Sequence, residues 1–258
     1  IGGFYSHSLA LLSDAGHLFT DLFTLLMSFF AILIAQKPVN ENKTYGYYRA
    51  EVIAAFLNGI LLSLVSFFIF YEAFQRWTSK ESPHAISMFW ISLLGLIMNL
   101  ISGALLFRLH SKSLNLKGAF FHILSDTLSS VGVVAGALLI YYRDLNWLDP
   151  LLSILIGTLV LFWALRLLRE SIHILMESTP KHLSIESLKL ELKKEFPEII
   201  ELHQIHLWEI TTHRYALTAH LLTHYEKISE CQLLVKRMRP FLCDKFQIEH
   251  INFQFENP

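Results

Sequence analysis

The residues best equipped for chemistry in this chain are two histidine–aspartate pairs, His17 with Asp21 and His122 with Asp126. Each pair is spaced i, i+4, so on a helix both side chains share one face about one turn apart. Each pair also opens a long apolar run. Two imidazoles and two carboxylates from two helices make a full tetrahedral shell for a borderline metal such as zinc.

A lone buried histidine is ordinarily just a hydrogen-bonded core residue. Ionisable groups inside a bilayer differ, because each costs roughly 3 kcal/mol at a helix centre. Two carboxylates at matched depth would cost roughly 6 kcal/mol unless something neutralises them. Such residues mark ion pathways, and a metal-binding role is the reading adopted over structural polar packing.

The elements that must position these residues are membrane spans. Of 258 residues, 53% are hydrophobic and only 17% charged, which separates the chain from ordinary soluble domains. A net charge of −1 argues against nucleic acid as a partner. Cys231 and Cys243 lack the C-x-x-C spacing of a zinc or redox motif and read as ordinary thiols of a reducing compartment. Five apolar stretches approach the 20 or so residues that a bilayer demands, at 9–35, 52–71, 87–107, 118–142 and 151–168. Asp149 and Pro150 read as the N-cap and first position of the last of these.

Lys37, Lys43 and Arg49 follow the first span, and Arg108, Lys112 and Lys117 follow the third. The alternate loops hold only Arg76 with Lys80, then Arg143, so the richer loops and the tail are expected to be cytoplasmic. Residue 1 then lies outside, and an upstream helix is expected, giving six spans in the intact protein. The pairs Gly132/Gly136 and Ser153/Gly157 are small-xxx-small patterns for close helix packing. Asn58 and Asn99 read as helix–helix hydrogen-bonding amides rather than metal ligands.

A transmembrane metal-transport domain is expected over 1–178 and a soluble α+β domain over 179–258. In the latter, 184–196 has helical spacing with Ser184 as N-cap, and 202–211 and 215–223 alternate as strands around Thr212-His213-Arg214. A helix at 228–246, kinked at Pro240, and a strand at 248–256 complete an αββαβ order. His203, His220 and Glu256 are candidates for a second metal site. Strand alternation puts His206 and Trp208 on the opposite face from His203, where they read as structural.

The whole chain resembles the cation diffusion facilitator family of zinc transporters. The resemblance rests on Ser8 through His17 with Asp21, on Tyr45-Gly46-Tyr47-Tyr48-Arg49-Ala50-Glu51, and on His122 with Asp126. It extends through Asp149-Pro150-Leu151-Leu152-Ser153, Leu175 through Pro180, and His203-Gln204-Ile205-His206-Leu207-Trp208. It implies a six-helix transmembrane bundle, a cytoplasmic ferredoxin-like domain and a homodimer. It makes His17, Asp21, His122 and Asp126 the transport-site ligands, and it sets Arg49 and Glu177 near each other at the dimer centre as a charge pair. The compact loops, with His110 the single histidine between 108 and 117, fit a bacterial inner membrane.

The expected function is efflux of zinc, with cobalt or cadmium as further substrates, by alternating access and proton exchange. Metal loading needs deprotonated ligands, so protons and metal compete for one site. Zinc also serves as a candidate regulatory ligand in the tail. An intramembrane hydrolase would keep an open coordination position, which four ligands fill, and no His-Glu-x-x-His motif occurs. A membrane-anchored metal sensor would not need ligands deep in its spans.

Overall fold

The computed structural model describes residues 23, 26, 27, 29–79, 84–107 and 114–258, and for residues 79, 106–107 and 114–125 the backbone alone. Residues 29–35 are helical. Four long helices follow: α1 (Arg49–Ser79), α2 (Ala85–Phe107), α3 (Leu114–Arg143) and α4 (Leu148–Leu175). The soluble part runs α5 (Ile185–Glu195), β1 (Ile199–Thr211), β2 (Arg214–Thr223), α6 (Ile228–Phe246) and β3 (Ile248–Glu256). This is the expected αββαβ order. The chain forms two compact units, one containing residues 57–166 and the other residues 27–56 and 167–258.

Helices α1, α2 and α4 are each long and apolar enough to cross a bilayer. Within the first unit the usual rule of burial is inverted. Ser66, Ser92, Ser130, Ser153 and Asn58 are buried, while Phe67, Phe74, Trp90, Leu94, Leu105, Leu155 and Phe162 face outward. Small polar residues let helices approach and hydrogen-bond, and lipid is as good a solvent for Phe or Leu as another helix. Met88, Val133, Ala137, Ile140, Ile156 and Val160 form the apolar seam of this unit. Of the expected small-residue contacts, Gly136 lies tight against Leu152 and Gly157 against Ile69 and Phe70, whereas among the described residues nothing lies within 4 Å of a Cβ placed at Gly132. Asn99 behaves as expected, donating from α2 to Ser130 Oγ on α3 at 3.2 Å.

Asp149 corrects its expected capping role. The helix opens at Leu148, so Asp149 lies inside the first turn and Pro150 follows it. Its carboxylate is buried and reaches the Arg76 guanidinium of α1 at 3.5 Å. A buried carboxylate is costly without a counter-charge, and Arg76 supplies one.

In the soluble domain, Ser184 Oγ accepts the Ser187 N–H, and Leu188 and Leu192 turn inward one helical turn apart. Leu234, Met238 and Leu242 repeat the pattern on α6. Pro240 sits on the outer face and α6 runs on past it. The N–H it lacks would have bonded on the solvent side, where water can serve the freed carbonyl. The sheet order is β1-β2-β3, with β1/β2 antiparallel and β2/β3 parallel. The β1–β2 connection is only two residues, Thr212 and His213, because Arg214 already pairs with Thr211. One sheet face carries Leu202, Leu207, Tyr215, Leu217 and Leu221 into a core with α5 and α6.

Candidate metal centres

Of the intramembrane candidates, His17 and Asp21 lie outside the described residues, and His122 is described by its backbone alone. Asp126 is half-buried on α3, one turn after position 122, with Ser125, Thr127, Ser129 and Ser130 beside it in the sequence. Ser130 continues that face by another turn, and its hydroxyl is the acceptor for Asn99.

The second centre is on the sheet face that α5 and α6 leave uncovered. His203 on β1 pairs with His220 on β2, and their ring centroids are 5.3 Å apart. Glu256, at the end of β3, reaches both: Oε1 lies 2.6 Å from His220 Nδ1 and Oε2 lies 3.0 Å from His203 Nε2. Gln254 Nε2 donates to the same Oε1 at 3.3 Å. The hydrogen bond from His220, then the charges of His203 and His220, hold the Glu256 carboxyl below its ordinary range. One ligand atom from each of the three lies within 4.8 Å of the others, the one such group among the described residues. Two nitrogens and a carboxylate oxygen suit zinc, and three protein ligands leave a fourth position for water or another donor.

This arrangement depends on a bulge. Between His203 and His206 β1 advances three residues while β2 advances two, from His220 to Thr218. Gln204, at φ 46, absorbs the extra residue in the left-handed region. One extra residue reverses the alternation for everything beyond it. His206 and Trp208 therefore share the face of His203, which overturns the expectation that they lie opposite it. Trp208, His206, Thr218, Thr179 and Glu177 line a recess of about 330 Å³. The residue types carry a trace of the extra residue: the core-facing apolar positions change from Leu202 to Ile205 and Leu207, a switch of parity across the adjacent polar pair His203-Gln204.

The same unit ties the stretch before α1 to the sheet. Tyr45 packs edge-on to His250 at 5.2 Å, and Arg214 lies 4.1 Å over the Tyr48 ring. Thr211 Oγ1 donates to Glu51 Oε2 at 3.3 Å, and Arg49 Nη2 lies 2.7 Å from Glu177 Oε1. The charge pair expected at Arg49 and Glu177 thus forms within one chain. The contacts of Tyr45, Tyr48 and Glu51 carry no signal in residue spacing.

Two family descriptions divide nearly the whole chain. The cation efflux transmembrane domain matches residues 1–176, and the cytoplasmic domain of cation efflux proteins matches residues 180–258. The metal cation efflux system protein CzcD of Cupriavidus metallidurans is 38% identical over 256 residues, covering 99% of this chain and 80% of that protein. The zinc transporter ZitB of Pectobacterium atrosepticum is 38% identical over 263 residues, with 99% and 79% covered. The cadmium, cobalt and zinc/H(+)-K(+) antiporter of Bacillus subtilis is 37% identical over 259 residues, with 99% and 83% covered. Among solved structures, the metal-bound C-terminal domain of the CzcD transporter is 24% identical, covering 29% of this chain and 99% of that one with a TM-score of 0.25. Apolar spanning helices, a small mixed sheet and these two matched domains fit a multi-pass protein of the bacterial inner membrane with its C-terminal domain in the cytoplasm. With identity of this level sustained across both domains, the chain belongs to the cation diffusion facilitator family and is a transporter of metal cations out of the cytoplasm, not an enzyme.

Proposed function

We propose that this protein is a homodimeric, zinc-preferring exporter that exchanges the metal for protons by alternating access. In this reading residues 1–178 form the transport domain, with His17, Asp21, His122 and Asp126 as its four ligands. The observation that carries the reading is Asp126: a half-buried carboxylate one turn after position 122 on a long helix, an ionisable group of the kind that marks an ion pathway within a bilayer. The carboxylates supply charge for a divalent ion, and the imidazoles favour zinc over harder cations. Because every ligand must be deprotonated to hold metal, proton entry from one side expels it. Support for the choice of ion and of coupling comes from relatives named as a zinc transporter and as a cadmium, cobalt and zinc/H(+)-K(+) antiporter.

Residues 179–258 are the cytoplasmic domain, where His203, His220 and Glu256 bind a second zinc with a regulatory role. The test is zinc flux in proteoliposomes. Uptake should need a pH gradient, collapse with a protonophore, and vanish in a folded Asp126→Ala variant. Gradient-independent flux, or wild-type flux in Asp126→Ala, would show the mechanism or the site to be wrong.

A further inference from the structure

Ser66, Ser92 and Ser153 each turn their hydroxyls back onto the carbonyl four residues earlier in their own helix. Ser130 serves an interhelical contact: its Oγ, in a residue only 1% exposed, accepts the Asn99 Nδ2–H of α2 at 3.2 Å. Ser130 is four residues after Asp126 on α3, so the two share a face about 6 Å apart along the axis. Among the described residues, the buried apolar residues of α3 in the core of this unit, Val133, Ala137 and Ile140, lie farther along the helix. Apolar packing is non-directional and tolerates small rotations, whereas a hydrogen bond from an amide does not.

We infer that Asn99 is a positioning residue for transport: by holding Ser130 it sets the rotation of α3 and so the direction of the Asp126 carboxylate. This rests on the reading of Asp126 as a transport ligand. A side-chain tip lies about 5–6 Å from the helix axis, so a rotation of about 10° moves it about 1 Å. Metal–ligand distances hold to about 0.2 Å, so a rotation that apolar packing would accept is enough to spoil coordination. The amide touches no metal in this account. It acts through Ser130 and the backbone turn between 130 and 126.

The experiment measures initial zinc uptake by the full chain in proteoliposomes over a range of zinc concentrations. The variants are Ser130→Ala, Asn99→Ala, their double, Ser130→Thr and Asp126→Ala. Ser130→Ala removes a single buried oxygen and is the milder change, should Asn99→Ala fail to fold. Interhelical hydrogen bonds of this kind set the scale, and loss of one should raise KM about 3-fold and at most about 20-fold, with kcat less affected. The double variant should be no worse than either single, and Ser130→Thr, which keeps the acceptor oxygen, should restore the KM. Unchanged KM in Ser130→Ala, additive losses in the double, or a Thr variant as poor as Ala would each overturn the inference, provided Asp126→Ala is inactive. Wild-type uptake in Asp126→Ala would instead remove the site reading on which it rests.

Discussion

Arg49 Nη2 lies 2.7 Å from Glu177 Oε1, although 128 residues separate them in sequence. Glu177 takes this position at a cost. The end of α4 is closed by Ser178 N–H on the His173 carbonyl at 3.2 Å and Glu177 N–H on the Ile174 carbonyl at 3.1 Å, with Glu177 itself at φ 55. That left-handed cap position usually holds glycine, and another L-residue costs about 1–2 kcal/mol there. The pair is exposed, at 40% and 56%, and exposed pairs return only about 0–1 kcal/mol. Stability alone therefore does not account for glutamate at this cap.

Glu177→Gly separates the two roles. It should leave the melting temperature unchanged or slightly raised, since glycine relieves the strained cap. Zinc flux should nevertheless fall as far as in Arg49→Ala, and the double variant should be no worse than either single. Full flux in a stable Glu177→Gly protein would reduce the pair to a surface contact.

The side chains that touch the metal should set selectivity. Replacing His17 with Asp exchanges an imidazole for a third carboxylate and should broaden transport toward cadmium by relaxing the preference for nitrogen donors. Competition uptake with both metals measures the ratio, and an unchanged ratio would count against His17 as a ligand.

Zinc bound outside the membrane should depend on the sheet face. Calorimetry of the full chain should lose one class of zinc site on His203→Ala or His220→Ala, while Asp126→Ala leaves that class intact. Affinity at this site should fall with falling pH, because both imidazoles must be deprotonated to bind. Retention of the class in both histidine variants would place the site elsewhere.

Burial pushes the Glu209 carboxyl above its ordinary range, against the lowering effect of His182, His213 and His173 and of a hydrogen bond from the His213 backbone N–H. A raised carboxyl favours the folded state when protonated, so its contribution is present below the unfolded value and is lost as pH rises through the folded value. At neutral pH the ionised group is a liability. Glu209→Gln, which can still accept the His213 N–H, should slow hydrogen exchange across the β1–β2 hairpin at neutral pH. The gain should shrink as pH falls into the ordinary carboxylate range. A gain that persists unchanged in acid would point to packing rather than charge.

Much of this protein was legible from residue types at short spacing. The presence of helices over 52–71, 87–107, 118–142 and 151–168, the Ser184 cap and the αββαβ order are local properties, set by the periods of helix and strand and by which solvent each face meets; the expected span at 9–35 lies mostly outside the described residues. His203, His220 and Glu256 could be paired as candidates because strand alternation is also local up to the first irregularity. Beyond it the prediction reversed: the bulge at Gln204 turned His206 and Trp208 to the face of His203. Whether one extra residue is accommodated is decided by the neighbouring strand. The same holds for Asp149 with Arg76, Asn99 with Ser130, and Arg49 with Glu177. Each joins residues 31 to 128 positions apart, and a charge or amide alone in a sequence does not specify its partner. Sequence determined which groups had to be neutralised or hydrogen-bonded, because burial in lipid leaves them no water. Only the packing of one helix or strand against another decided which partner does it.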